Sequence, residues 1–402
     1  MYSMYSQSHA TAATLGAVAI SLVAAMACRD ESRVAPVAPS ASAQVRSLNR
    51  GASGPPSTLL WNEEAIKLAG KAALFPTLAN RTYMLLSVAE ARALDGLDAS
   101  AERSDDIDQG VASRAAALGG AAQVVLAYIF PNDQAEVAAM LESLRVGAPN
   151  TDHFDAAVNA GRAAGQNVVD DAKTDGSNAV VVPVVPVGPQ YWKPPANGIL
   201  TPQWPFVRPM LMTSGNQFRP EPPPAFGSPV YLAALQRVRN FSDTRTPEQL
   251  AILNFWNDPG PVGQHGGHWN HIAVDLILRH HLNERRAVRV LEHLNLALSD
   301  ASIACLDAKY TYWFVRPYQA DPLITTPLGQ PRHPAYPSLH SCQGGAAVGV
   351  LEYEFPGDAE SLEAMDAEMN LSREWAGLHY WFDTAVGTRM GRQVADLANV
   401  RP

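Results

Sequence analysis

Three short segments in the second half of the chain carry residue types that could do chemistry. Lys309 and Arg316 stand seven positions apart, almost two helical turns, so on one long helix both side chains would project from one face. Two cations on one stripe need an anion, and the neighbours Tyr310, Tyr312, Trp313 and Phe314 are too apolar for a solvated charged face. Pro337-Ser338-Leu339-His340 follows a proline-rich loop and opens a Gly/Ala-rich run. With Ser338 as N-cap, the free N–H groups of that first turn make an anion site. His340 would lie beside the anion, placed to give or take a proton. The third segment runs from Ser372-Arg373 to His379 and on to Asp383. On a helix, a carboxylate four residues after a histidine accepts from one ring nitrogen, fixes the tautomer and leaves the other nitrogen free as nucleophile or ligand. Arg373 adds a planar fork for oxyanion oxygens. Taken singly, each segment also reads as a cap, a charged face or a structural His–Asp pair.

A helical scaffold has to bring these groups together. Of 402 residues, 47% are hydrophobic and 17% charged, enough for two or three domains with buried cores. Apolar spacings of three and four predict helices near 77–98, 105–118, 132–145 and 151–174. In the second half they predict Thr246 to Trp256, His268 to Leu282, Glu284 to Val315, Ser338 to Phe355, Asp358 to Ala376 and Tyr380 to Asn399. Thr246-Pro247-Glu248-Gln249 reads as a capping box with proline at N1, and Arg316-Pro317 as the stop of the long helix. The β-branched run from Val180 to Val187 is broken by Pro183 and Pro186, which argues against a central strand. The expected class is all-α: one helical bundle over 59–182, another over 230–402, joined by an irregular segment over 183–229. That segment holds thirteen prolines, and its Tyr191, Trp192, Trp204, Phe206, Phe218 and Phe226 predict that it lies packed across a helical surface.

The net charge of −9 argues against a nucleic-acid or anionic-membrane surface, so any anion must be held by a local cluster of cations. Residues 1–28 read as an export signal. Ala12 to Ala27 is uncharged and small or apolar, and Ala25-Met26-Ala27-Cys28 resembles a lipobox that would lipidate Cys28. Residues 29–58 are small, polar and proline-rich, as a tether should be. The expected location is therefore the periplasm or cell surface, with the membrane reached only through a lipid anchor. No further spanning segment is expected after residue 28. Cys305 and Cys342 would remain as a pair, either bridged or as two buried thiols.

In order, the three segments resemble the signature of vanadium-dependent haloperoxidases and type 2 phosphatidic acid phosphatases: Lys-x6-Arg-Pro, Pro-Ser-Gly-His and Ser-Arg-x3-Gly-x-His-x3-Asp. Leu339 stands where that pattern has glycine, a position that lends a backbone N–H to the bound anion and where a side chain could crowd it. Residues Gln190 to Pro220, Thr246 to Trp256 and Gly267-His268-Trp269-Asn270 are also similar to the soluble bacterial haloperoxidase-related group, so the likeness covers about 58–402. The resemblance implies a haloperoxidase-like pair of helical bundles. It implies vanadate, or phosphate in the same place, bound by Lys309, Arg316, Ser338, the Leu339 amide, Arg373 and His379. His379 would ligate vanadium, Lys309 would polarise peroxide and His340 would handle protons, so that halide and hydrogen peroxide give hypohalous acid for a small organic substrate. In the phosphatase branch, His379 oriented by Asp383 would attack a phosphoryl group and His340 would protonate the leaving alcohol. A third outcome, made open by Leu339, is an oxyanion-binding lipoprotein without catalysis. His333, in His333-Pro334-Ala335-Tyr336, occupies a position associated in that family with halide preference, and histidine there resembles a bromide enzyme.

Two further constellations are expected to be structural. His265, His268 and His271 are spaced as metal ligands, but Gly266 and Gly267 should break the helix that would align them, and only Asp275 offers a nearby carboxylate. Asp105, Asp106 and Asp108 read as a helix N-terminal turn rather than a calcium loop.

Overall fold

The structure is a computed structural model that describes residues 54–99, 107–258 and 264–401. The expected leader with Cys28, the tether up to residue 53, and the side chains of Asp105, Asp106 and Asp108 lie outside the described residues. Among those described there is no strand.

Helices α1 (Thr58–Lys71), α2 (Pro76–Ala99), α3 (Ile107–Ile129), α4 (Gln134–Val146) and α5 (Thr151–Ala172) build the N-terminal half. The Asn150 side chain caps α5 by accepting the N–H groups of Asp152 and His153. Small residues then let α3 and α5 touch backbone to backbone. A Cβ on Gly161 would lie 1.9 Å from the Ala117 carbonyl oxygen, and one on Gly120 2.2 Å from that of Val158. By length and composition α3 is one helix apolar enough to cross a membrane, contrary to the expectation of none beyond residue 28. Here Ala117, Leu118, Ala121, Ala122, Val125 and Leu126 of that helix are buried in the N-terminal core.

The C-terminal half contains α6 (Pro229–Thr244), α7 (Pro247–Phe255), α8 (Gln264–Arg279), α9 (Glu284–Tyr312), α10 (Pro317–Ala320), α11 (Leu339–Glu354), α12 (Ala359–Trp375) and α13 (Trp381–Asn399). The Thr246–Gln249 capping box forms in both directions. Helix α9 belongs to both halves: Val288 and Leu296 enter the N-terminal core, while Leu291, Leu294, Leu298 and Ala301 enter the larger C-terminal one. From Tyr191 onward the proline-rich segment packs only in part, because Phe206 and Phe226, contrary to the expectation, are exposed. Trp192 and Trp204 are buried, the Trp192 N–H donates to the Trp313 carbonyl at 2.7 Å, and Tyr191 pairs with Phe314. Val180, Val182, Val184 and Val187 just before it are exposed.

Several boundaries differ from the expectation. The apolar spacing did not single out α1 or α6, and α3 continues to Ile129. Helix α9 stops at Tyr312 because Trp313 turns left-handed (φ 51°, ψ 30°), so Lys309 and Arg316 do not share a helix face. Helix α8 starts at Gln264 and contains Gly266 and Gly267, which therefore do not break it. At Gly266 a Cβ would come within 1.8 Å of the Asn80 side-chain oxygen, so a larger residue there would have to move Asn80. Helices α11 and α13 cross through Gly345 and Gly391, whose Cβ atoms would lie 2.2 Å from the Thr388 and 2.1 Å from the Cys342 carbonyl oxygens. Cys342 on α11 and Cys305 on α9 are buried, free thiols, so the bridge held open above is not formed.

Candidate active site

The α11–α13 crossing sets the N-terminal ends of both helices side by side, and the Ser338 N–H donates to the Asp383 carbonyl at 3.0 Å. Ser338 is the N-cap of α11, its hydroxyl accepting the Ser341 N–H, so the amide of Leu339 belongs to the first turn, which has no acceptor within its own helix. The Leu339 side chain is buried in the C-terminal core and also forms part of the wall of a cavity of about 190 Å3. Arg316, His333, His340, Arg373 and His379 line the same cavity.

His379 precedes α13 rather than lying on it, a correction to the shared-helix expectation. The turn that delivers it passes through Gly377 at φ +73°. His379 Nδ1 still lies 2.9 Å from Asp383 Oδ2, which also accepts the Tyr380 N–H at 3.1 Å. Burial, then the charges of Arg316 and Lys309, hold the His379 imidazole well below its ordinary value. It is therefore neutral, with Nδ1–H on Asp383 and the Nε2 lone pair 2.9 Å from Arg316 Nη1. Burial pushes Asp383 up to about 7, against the pull of Lys309 and the Tyr380 N–H.

Arg316 caps α10 and is fixed by the carbonyls of Leu378 and His333 and by His333 Nδ1 at 3.1 Å. Burial, with Lys309 and Arg316, keeps His333 neutral. Lys309 stands behind the cavity wall, where its Nζ donates to the carbonyls of Pro334 and Ala335 at 2.8 and 2.9 Å. Burial and the Arg316 charge lower it to about 7. Arg373, near the end of α12, holds Ser372 Oγ at 3.0 Å and makes a long 3.4 Å contact with His340 Nε2. Burial lowers Arg373 to about 10. Burial and Arg373 together hold His340 well below the usual histidine range.

The donor set fits an oxyanion. Lys309, Arg316 and Arg373 are 0, 0 and 1% exposed, and among the described residues none of them has a carboxylate within ion-pair distance. Unpaired buried cations are costly, and a tetrahedral anion in the cavity would supply the missing counter-charge alongside the α11 N–H groups.

Sequence reasoning missed Asp258 here and set His265 aside as structural. His265 of α8 lines the cavity, and its ring packs against that of His340 with centroids 4.5 Å apart. Asp258, which precedes α8, accepts from His265 Nδ1 at 2.7 Å and His268 Nδ1 at 2.6 Å. The signal was Asp258 seven and ten residues ahead of two histidines, but it takes the fold to bring them beside His340. His271 turns instead to Glu63, and Asp275 to Arg279, so the three histidines do not converge on a metal.

No protein-family model matches the sequence, and no curated protein matches it. Among solved structures, the chain is similar to the first bacterial vanadium-dependent iodoperoxidase, at 20% identity and a TM-score of 0.71, over 85% of this chain and 95% of that one. It is also similar to the holo and apo forms of a bacterial vanadium-dependent chloroperoxidase, at 16% identity and a TM-score of 0.66, over 81% of this chain and 92% and 93% of theirs. The chain has the all-helical fold of the vanadium-dependent haloperoxidases.

Proposed function

We propose that this chain is a vanadate-dependent haloperoxidase-like enzyme that oxidises halide, bromide by preference, with hydrogen peroxide. The observation that carries this reading is the pair of buried cations without carboxylate partners, Arg316 and Arg373, lining a cavity that a neutral His379 also lines, with a third, Lys309, behind its wall. When bound there, vanadate supplies a Lewis acid that activates peroxide without changing oxidation state. The side chains of Arg316, Arg373, Lys309 and Ser338, with the Leu339 amide, would hold its oxygens, and His379 Nε2 would meet the metal. Asp383 keeps that nitrogen deprotonated by taking the Nδ1–H. His340, whose imidazole is held well below the usual histidine range, would take a proton from hydrogen peroxide at the site. The bromide preference rests on His333, which lines the cavity and anchors Arg316.

The His379–Asp383 pair favours a second reading, because an oriented neutral imidazole is also what a phosphoryl-accepting nucleophile requires. The test is bromination of a dione reporter by the purified protein with peroxide and bromide, before and after orthovanadate is added to the apo form. Vanadate-restored turnover is expected. Hydrolysis of a phosphate ester that vanadate inhibits, without bromination, would move the chain to the phosphatase branch, and silence in both assays to a binding role. The leader-like residues support export with an anchor at Cys28, which predicts fatty-acid labelling that Cys28→Ala abolishes.

A further inference from the structure

We infer that His265 is a positioning residue whose ring holds the His340 ring in place. This rests on the reading above only in that His340 moves a proton, a role common to the peroxidase and phosphatase branches. The two rings meet at 4.5 Å between centroids with 43° between planes, and His265 is 2% exposed. Neither nitrogen of His265 is available to the reaction. Nδ1 lies 2.7 Å from Asp258 Oδ2, and Nε2 accepts the Trp269 indole N–H at 3.0 Å. Those two bonds set the Nδ1–H tautomer and stop the ring from turning, so His265 offers His340 a fixed face and does not compete for its proton.

The support behind His265 is itself fixed. The other oxygen of Asp258 is 2.6 Å from His268 Nδ1, and the His268 ring stacks on Trp256 at 4.7 Å with 15° between planes. Asp258 and Trp269 are 3 and 0% exposed. By contrast, the one polar side-chain contact of His340 described is the 3.4 Å approach of Arg373, a group that a bound oxyanion would draw to itself. With the anion in place, the ring contact with His265 does not depend on Arg373.

Asp258, His265 and His340 could also be read as a metal site, since their donor atoms lie within 4.8 Å of one another. The hydrogen bonds argue against it. Asp258 already accepts two imidazole N–H groups, and a cation would have to displace the Trp269 N–H from His265 and sit beside Arg373.

The test uses the full chain with His265→Asn, which can keep the bond to Asp258 but removes the ring, and His265→Phe, which keeps a ring but leaves Asp258 and Trp269 short of a partner. His265→Asn is expected to lower kcat about tenfold or more, in whichever of the two assays the wild type turns over, because general acid–base catalysis depends on a placed proton carrier. Its Kd for orthovanadate should stay within about twofold, since the groups that hold the anion are untouched. His265→Phe should melt at a lower temperature yet recover kcat to within about threefold, as the unpaired buried groups cost stability rather than alignment. If kcat instead follows melting temperature through both variants, or His265→Asn keeps wild-type kcat, His265 is packing alone and the inference falls. A readout free of turnover is the imidazole NMR signals of His340, assigned with His340→Gln. One sharp set in the wild type should broaden or double in His265→Asn, and unchanged signals overturn the inference. A wild type silent in both assays overturns the functional reading, and the His340 signals then decide the placement by themselves.

Discussion

His379 Nδ1 lies 2.9 Å from Asp383 Oδ2 although only Asp383 is on a helix. The spacing of four suggests an intrahelical pair, but the contact is made across the start of α13. Tyr380 is the N-cap, and its N–H and the His379 ring share one carboxylate oxygen. This leaves His379 outside the helix, where its Nε2 faces the cavity and Arg316.

Removing that carboxylate should therefore act through the imidazole. Asp383→Asn is expected to weaken orthovanadate binding by about 10- to 100-fold, the usual cost of losing the partner that orients a ligating histidine. His379→Ala should abolish bromination and phosphate-ester hydrolysis alike. Full activity in His379→Ala would show that the chemistry lies elsewhere in the molecule.

Lys309 should make anion stabilisation depend on pH. Burial and Arg316 lower its ammonium to about 7, whereas the unfolded chain holds that proton up to about 10.4. Between those values the unfolded state binds more protons, so this group makes stability rise with pH, and below about 7 its buried charge is a burden. An oxyanion relieves that burden by pairing with the charged form. The gain in Tm on adding phosphate should thus be larger near pH ~6 than near pH ~9, and Lys309→Met should shrink the difference. Equal gains in wild type and variant would place Lys309 beyond the anion's reach.

Leu339→Gly tests whether the leucine crowds the anion or serves the core. The side chain is 4% exposed and belongs to the C-terminal core. Its removal is expected to cost about 2–5 kcal/mol in denaturant unfolding, as large-to-small core changes do. Orthovanadate affinity should change little if residue 339 meets the anion through its backbone N–H alone. Affinity that rose at least tenfold would instead identify the leucine as an obstruction.

Gly345→Ala should damage the site from a distance. The added Cβ would meet the Thr388 carbonyl oxygen at 2.2 Å and push α11 from α13, at a cost of about 1–3 kcal/mol. Because those helices carry Ser338 and Asp383 at their adjoining ends, orthovanadate binding should weaken along with stability. Binding at wild-type strength in a destabilised Gly345→Ala would show that the two helix ends are held together by other contacts.

Local chemistry in the sequence was enough for the helical class, the Thr246–Gln249 capping box and the Ser338 cap, because propensity, spacing and caps act within a few residues. The Ser338, Arg373 and His379 motifs were legible for the same reason, since each is a short run of residue types. What depends on distant packing was not. The cations Lys309 and Arg316 looked like one helix face, but Trp313 turns left-handed where the Tyr191–Trp192 strap crosses it, and Arg316 is delivered from a separate short helix. Gly266 and Gly267 look like helix breakers, yet α8 runs through them, with the Asn80 side chain, far away in sequence, filling the space where a Cβ on Gly266 would lie. His265 and Asp258 gained their place beside His340 in the same way. Residue types and spacings name the groups that can do chemistry, while their convergence is decided by long-range packing energies that no local pattern records.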